Sequence, residues 1–214
     1  MMLFHLVKKD FLIVKKYVLL MLVVSILIPP FMLWRVPQNA GIMSFVLSII
    51  FSVFMLQQYV SLKENQYPKA SMLLCATPYP RHFIVLSKYC FVLIIYVTCC
   101  LIFWIETLFI SELNGFSIEV ALIMLLVVSI FEGIYLPVQY KIGYDKTKFV
   151  FAVVIMVSPF LLPLLLKISD GMKYDFIANF PSVILLGGTT VFSLIFLVVS
   201  AFVSIRIYRK TDLA

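Results

Sequence analysis

The chain has 214 residues, of which 64% are hydrophobic and 13% charged, with 17 Lys and Arg against 10 Asp and Glu for a formal charge of +7. A mean hydropathy of +1.12 excludes a water-soluble fold, since so little polar surface cannot cover so large an apolar one. Long uninterrupted apolar runs, in place of short alternating ones, favour helices over a barrel and set the class as an all-α integral membrane protein, a single domain over residues 1–214. The basic residues lie between apolar runs and form no single patch, so the positive charge argues for topology and against nucleic acid as a partner.

Residues 1–16 open the chain with lysines before an apolar run, as a signal peptide does, but no small-residue cleavage site follows and the segment is read as retained. On a helical wheel His5, Lys8, Lys9, Lys15 and Lys16 share one side, and Leu3, Phe4, Leu6, Val7, Phe11, Ile13 and Val14 share the other. Asp10 and Leu12 break the pattern. This predicts an interfacial helix on the inner leaflet, its lysines toward anionic headgroups, with a turn into the first span near Tyr17.

Crossing ~30 Å of hydrocarbon takes about 20 helical residues. Six runs qualify: Tyr17–Trp34, Ala40–Tyr59, Phe83–Ile110, Ser117–Val138, Phe149–Ile168 and Ser182–Ile207. Between the second and third lies the most polar interval, and within residues 63–82 Pro68 precedes "KASMLLCA" and Pro78 and Pro80 follow it. Proline opens helices and forbids their continuation, so a two-turn helix is predicted here, exposing Met72, Leu73, Leu74 and Cys75 either to the bilayer surface or to a groove on another protein. The third span is long enough that it must tilt or project. It carries Glu106 near its outer end, where solvation is expected. Glu132 sits deeper in the fourth span; a carboxylate in hydrocarbon is costly, so it must face protein or water and is a candidate for a translocation or gating role, with a structural role the alternative. "SPFLLP" should kink the fifth span at Pro159 and Pro163, and "GGTT" at Gly187–Thr190 should let the sixth helix approach a neighbour closely.

Placing the amino terminus in the cytoplasm puts every Lys and Arg on the inner side except Arg35, Lys167 and Lys173. The positive-inside rule then sets both termini in the cytoplasm, consistent with an even number of spans in a bacterial cytoplasmic membrane. Chemistry on the chain itself is not indicated. None of the seven glycines stands in a phosphate-cradling GxxxxGK[ST] pattern, His5 and His82 form no HExxH, no GxSxG occurs, and Cys75, Cys90, Cys99 and Cys100 form neither a disulfide framework nor a CxxC pair.

The layout, together with Leu73, Leu74, Pro78, Arg81, Ile84, Val85, Ser87 and Lys88 entering the third span and Pro137, Lys141 and Gly143 after the fourth, resembles the type-two permeases of the ATP-binding-cassette superfamily. Among them it is most similar to the small six-span subunits of Gram-positive peptide exporters, the staphylococcal phenol-soluble-modulin exporter included. The resemblance implies a coupling helix in the loop between spans two and three, docking on a separate ATP-binding subunit through Met72, Leu73, Leu74 and Cys75, with Lys69 and Arg81 pairing with acidic residues there. ATP and Mg would be bound by that partner and no cofactor by this chain. A second permease chain, identical or similar, would complete the pathway, and an amphipathic peptide would be the substrate. An ion-coupled carrier, which needs more midplane ionisable groups than Glu132, and a membrane immunity protein against a toxic peptide are the alternatives.

Overall fold

The computed structural model describes residues 2–35, 40–67, 80–110, 113, 117–149, 152–153 and 182–210. Among the described residues six long helices carry the fold: α1 (Met2–Ile13), α2 (Lys15–Arg35), α3 (Ala40–Gln66), α4 (Arg81–Phe109), α5 (Ile118–Ile142) and α6 (Ser182–Lys210). Among the described residues there is no strand. Five of these helices, α2 to α6, hold a stretch long and apolar enough to cross a membrane. The predicted fifth span lies outside the described residues apart from Phe149, Ala152 and Val153, as does the predicted coupling helix.

At the amino terminus the chain breaks helix at Val14, whose carbonyl accepts from the Tyr17 and Val18 amides as α2 begins. The break falls at Val14, three residues before Tyr17, where the sequence reading set the turn. One face of α1, with Leu6, Val7 and Asp10, is buried against the bundle, and Phe11 meets Phe91 of α4 edge-on at 4.8 Å.

The helices do not share burial equally. Most of the apolar stretch of α3, 83% of it, is buried, against 17% for α2 and 22% for α6. So α3 is the interior helix, and the outward Leu19, Leu20, Val23 and Leu27 of α2 and Val191, Phe192, Ile195 and Val199 of α6 are exposed, as a hydrocarbon solvent requires. Ring contacts tie α3 to its neighbours: Tyr59 stacks on Tyr17 of α2 at 3.8 Å, Phe45 meets Phe103 of α4 at 5.1 Å, and Phe54 meets Phe131 of α5 at 4.1 Å. Within α3 the segment Ile50–Phe54 is π-helical. Such a wide turn re-aims the residues after it relative to those before it.

Two prolines sit inside α2 and one inside α5. A proline at position i leaves the carbonyl at i−4 without its amide donor, and in hydrocarbon that orphan must be satisfied by a neighbour. Pro29 frees the Ser25 carbonyl, which accepts from the Ser48 hydroxyl of α3 at 3.5 Å. Pro137 frees the Gly133 carbonyl, which accepts from Ser200 of α6 at 2.7 Å. The same repair serves two helix pairs.

Ser117 caps α5 by accepting from the Val120 amide at 3.3 Å, and Gly143, at φ 92°, ends it. The pair α5–α6 packs closely at Gly133, where an added Cβ would lie 2.4 Å from Cε1 of Phe196. Among the described residues no close approach is made at "GGTT", where an added Cβ at Gly187 or Gly188 meets nothing within 4 Å. The intimate contact instead falls nearer the middle of α6, where Ser200 must reach the backbone of α5.

Candidate functional site

The stems of the loop over residues 67–80 converge on a charge cluster whose Asp10 and Lys88 are buried and whose Lys9 and Glu64 are half-buried. Glu64, near the end of α3, accepts from Lys88 Nζ of α4 at 2.6 Å and from Lys9 of α1 at 3.2 Å. Asp10 of α1 accepts from the same Lys88 nitrogen at 3.1 Å, lies 3.0 Å from Lys9, and shares the Ser87 hydroxyl hydrogen, at 3.3 Å, with the nearer Ile84 carbonyl at 2.8 Å. Asp10 is 0% and Lys88 3% exposed. Two ammonium groups and two carboxylates make a neutral cluster, which is the condition under which buried charge is tolerated.

The arrangement follows from the local sequence. Lys88 lies about two helical turns into α4, on the face that packs against α1 and α3, and "SK" puts a hydroxyl donor and a cation next to one carboxylate. Asp10, which interrupts the amphipathic wheel, does so because it points into this cluster and not toward the headgroups. The cluster therefore closes the loop between Gln66 and Arg81 at its base and clamps α1 across both stems.

Of the predicted docking residues, Lys69, Met72, Leu73, Leu74 and Cys75 lie outside the described residues. Arg81 opens α4, is exposed, and donates through Nη1 to the Arg209 carbonyl at the end of α6 at 3.5 Å. That bond holds the first turn of α4 against the last turn of α6, where free carbonyls favour a cation.

A second polar cluster lies deeper. Since the single Ser200 hydroxyl hydrogen goes to the Gly133 carbonyl, the Tyr89 hydroxyl must donate to Ser200, at 2.7 Å, and Ser204 must donate to Tyr89, at 2.9 Å. This is a directed chain from Ser204 to Tyr89 to Ser200 to the backbone of α5, each bond polarising the next. Next to Gly133 in sequence stands Glu132, 0% exposed, with no hydrogen-bond partner for either carboxyl oxygen among the described residues. Gln57 of α3 is also fully buried with neither amide atom partnered among the described residues. A further link from α3 to α5 runs from the Ser61 hydroxyl to Oε1 of Gln139 at 3.1 Å.

Glu106 does not stand in solvent as expected: both its carboxyl oxygens are covered and unpartnered among the described residues. Among those residues no three His, Cys, Asp or Glu are placed to hold a metal ion.

Sequence reasoning had singled out Glu132 and Arg81 but not the clamp formed by Lys9, Asp10, Glu64 and Lys88, nor Gln57. The available signal was Asp10 itself, an acid set on the apolar side of a wheel among lysines.

The model of the family described as ABC-2 family transporter protein matches residues 5–209, nearly the whole chain. No curated protein and no solved structure matches.

Proposed function

The chain belongs to the ABC-2 family transporter proteins, a family of multi-pass membrane permease components that implies an ATP-binding partner in general, and from this we propose that it is the permease of an ATP-driven exporter, moving amphipathic or hydrophobic peptides out of a bacterial cell. The observation that carries the coupling part of this reading is the Glu64–Lys88 contact at 2.6 Å. It fixes the two stems of the loop to each other and to α1, so a push on the loop is delivered to α3 and α4 as a rigid-body displacement and is not lost in a flexible linker.

In this reading Met72, Leu73, Leu74 and Cys75 form the apolar handle that docks on the ATP-binding subunit, and Lys69 and Arg81 pair with acids there. ATP and Mg are handled by that partner. Both termini face the cytoplasm, as the distribution of Lys and Arg supports, and α1 lies along the inner leaflet. The exposed apolar faces of α2 and α6 face lipid or a second permease chain, and one chain of this size is expected to pair, with itself or with a similar subunit, to enclose a path. Glu132, buried and unpartnered among the described residues, is the side chain offered for gating. The scarcity of charge in the spans suits an amphipathic peptide better than an inorganic ion.

Purification of the tagged chain from its host tests this directly. An ATP-hydrolysing subunit is expected to come with it, and Leu73→Asp or Leu74→Asp is expected to release that subunit while the permease remains in the membrane. Retention of the ATPase by both variants, or its absence from the wild-type preparation, overturns the docking assignment.

A further inference from the structure

Where α4 begins and α6 ends, a cavity of about 700 Å³ is lined by His82, Phe202, Ile205, Arg206, Arg209 and Lys210. Three of these carry permanent positive charge, His82 adds a fourth nitrogen donor, and no acidic side chain is among the described residues lining it. Among the described residues none of these four polar side chains has an ion-pair partner.

The backbone acts in both senses: the carbonyls ending α6 favour the cations that line the cavity and oppose an anion, while the start of α4, which no side chain caps among the described residues, favours an anion through its amides and dipole, and His82 stands in that turn. The Arg81 bond to the Arg209 carbonyl keeps this turn beside the end of α6. On α6, Phe202, Ile205, Arg206 and Arg209 follow at helical spacing, so one stripe passes from apolar to cationic toward the helix end. Phe202 is exposed and offers a surface for hydrocarbon directly beneath the charges.

A free anion would need only the cationic rim. The continuous stripe fits a molecule that is anionic at one end and apolar at the other. We propose that this cavity is a binding site for one anionic phospholipid, its phosphate held by Arg206, Arg209, Lys210 and His82 and its acyl chain laid along Phe202 and Ile205. That the lipid comes from the inner leaflet rests on the cytoplasmic termini proposed above. Because the site joins α4 to α6 at the foot of the loop stem, the bound lipid bridges the helix that carries Lys88 and the helix that carries Ser200.

The test is native mass spectrometry of the purified full chain in mild detergent, titrated with phosphatidylglycerol or phosphatidylcholine. A saturable adduct of one phosphatidylglycerol is expected, with no equivalent for phosphatidylcholine, and R206Q/R209Q should weaken it about 30-fold, the loss of two cationic contacts. R206K/R209K should retain it. If R206Q/R209Q does not purify as a monodisperse species, His82→Gln combined with Lys210→Gln carries the same expectation. Equal binding of both lipids, or an adduct indifferent to these changes, overturns the proposal. Displacement of the adduct by millimolar inorganic phosphate also overturns it, since the apolar half of the site would then contribute nothing. A green-fluorescent-protein fusion at the carboxyl terminus reports orientation separately: a dark fusion with an intact adduct would refute the cytoplasmic termini and leave the lipid site standing.

Discussion

Glu64 and Lys88, 24 residues apart, meet at 2.6 Å across the base of the loop between α3 and α4, and Asp10 joins the same lysine nitrogen from α1. Removing one member of a buried cluster leaves the others uncompensated, at a cost of about 3–5 kcal/mol, whereas replacing a matched pair by apolar residues of similar size is close to neutral. Lys88→Met is therefore expected to lower the thermal midpoint of the purified chain sharply. Adding Asp10→Leu should recover most of the loss, because Lys9 and Glu64 then remain as a matched pair at 3.2 Å. Fluorescence-monitored melting in detergent reads both variants. A double variant no more stable than Lys88→Met alone would show that the cluster does not act as one neutral unit.

Ser200 answers for Pro137. Its hydroxyl satisfies the Gly133 carbonyl that the proline deprives of an amide donor, at 2.7 Å, so Ser200→Ala should cost about 1–3 kcal/mol, the penalty of an orphaned buried acceptor. In a Pro137→Ala background residue 137 supplies the amide itself, and the same serine change should then cost markedly less. A double-mutant cycle measures the coupling. Additive effects would mean that the serine serves only Tyr89.

How much of this was legible beforehand depends on whether a residue's role is set by its own helix or by a neighbour. The starts of α4 at Arg81 and α5 at Ile118 were readable to within two residues, at Phe83 and Ser117, because hydrocarbon length and apolar runs are properties of one segment. The end of α3 was not: the helix runs on from Tyr59 to Gln66, about two turns further, through Lys63 and Glu64, whose polarity reads as loop until Lys88 arrives from a different helix to compensate Glu64. Asp10 looked like a flaw in an amphipathic pattern for the same reason. Among the described residues the "GG" pair is not the point of closest approach, since glycines advertise close packing but only the partner surface decides where it occurs. Gly133, beside a proline-freed carbonyl, is where α6 comes in.

Gly133→Ala follows from that contact. Its Cβ would stand 2.4 Å from Cε1 and 2.9 Å from Cδ1 of Phe196, so the ring or the helix must shift, at about 1–3 kcal/mol for overpacking. Phe196→Leu in the same chain should return part of it. Gly187→Ala and Gly188→Ala, where an added Cβ meets no described residue within 4 Å, should leave the melting midpoint unchanged or raise it, alanine being the better helix former. Equal sensitivity at all three positions would contradict the packing of α5 on α6.

Glu132 separates stability from function. Its carboxyl is fully buried with neither oxygen partnered among the described residues, so an ionised form would carry an uncompensated charge in the bundle, and the neutral isostere removes that liability. Glu132→Gln is therefore expected to melt at or above the wild-type temperature. If the carboxyl serves gating, as proposed, the same variant reconstituted with its ATP-binding subunit should lose transport or substrate-stimulated ATP hydrolysis by about tenfold or more, a loss of the size a single polar contact supports. Opposite signs in the two measurements are the signature of a group held at a structural cost for its role in the cycle. Unchanged transport and unchanged ATPase coupling would leave Glu132 a buried acid without a part in translocation, and the gating assignment would be withdrawn.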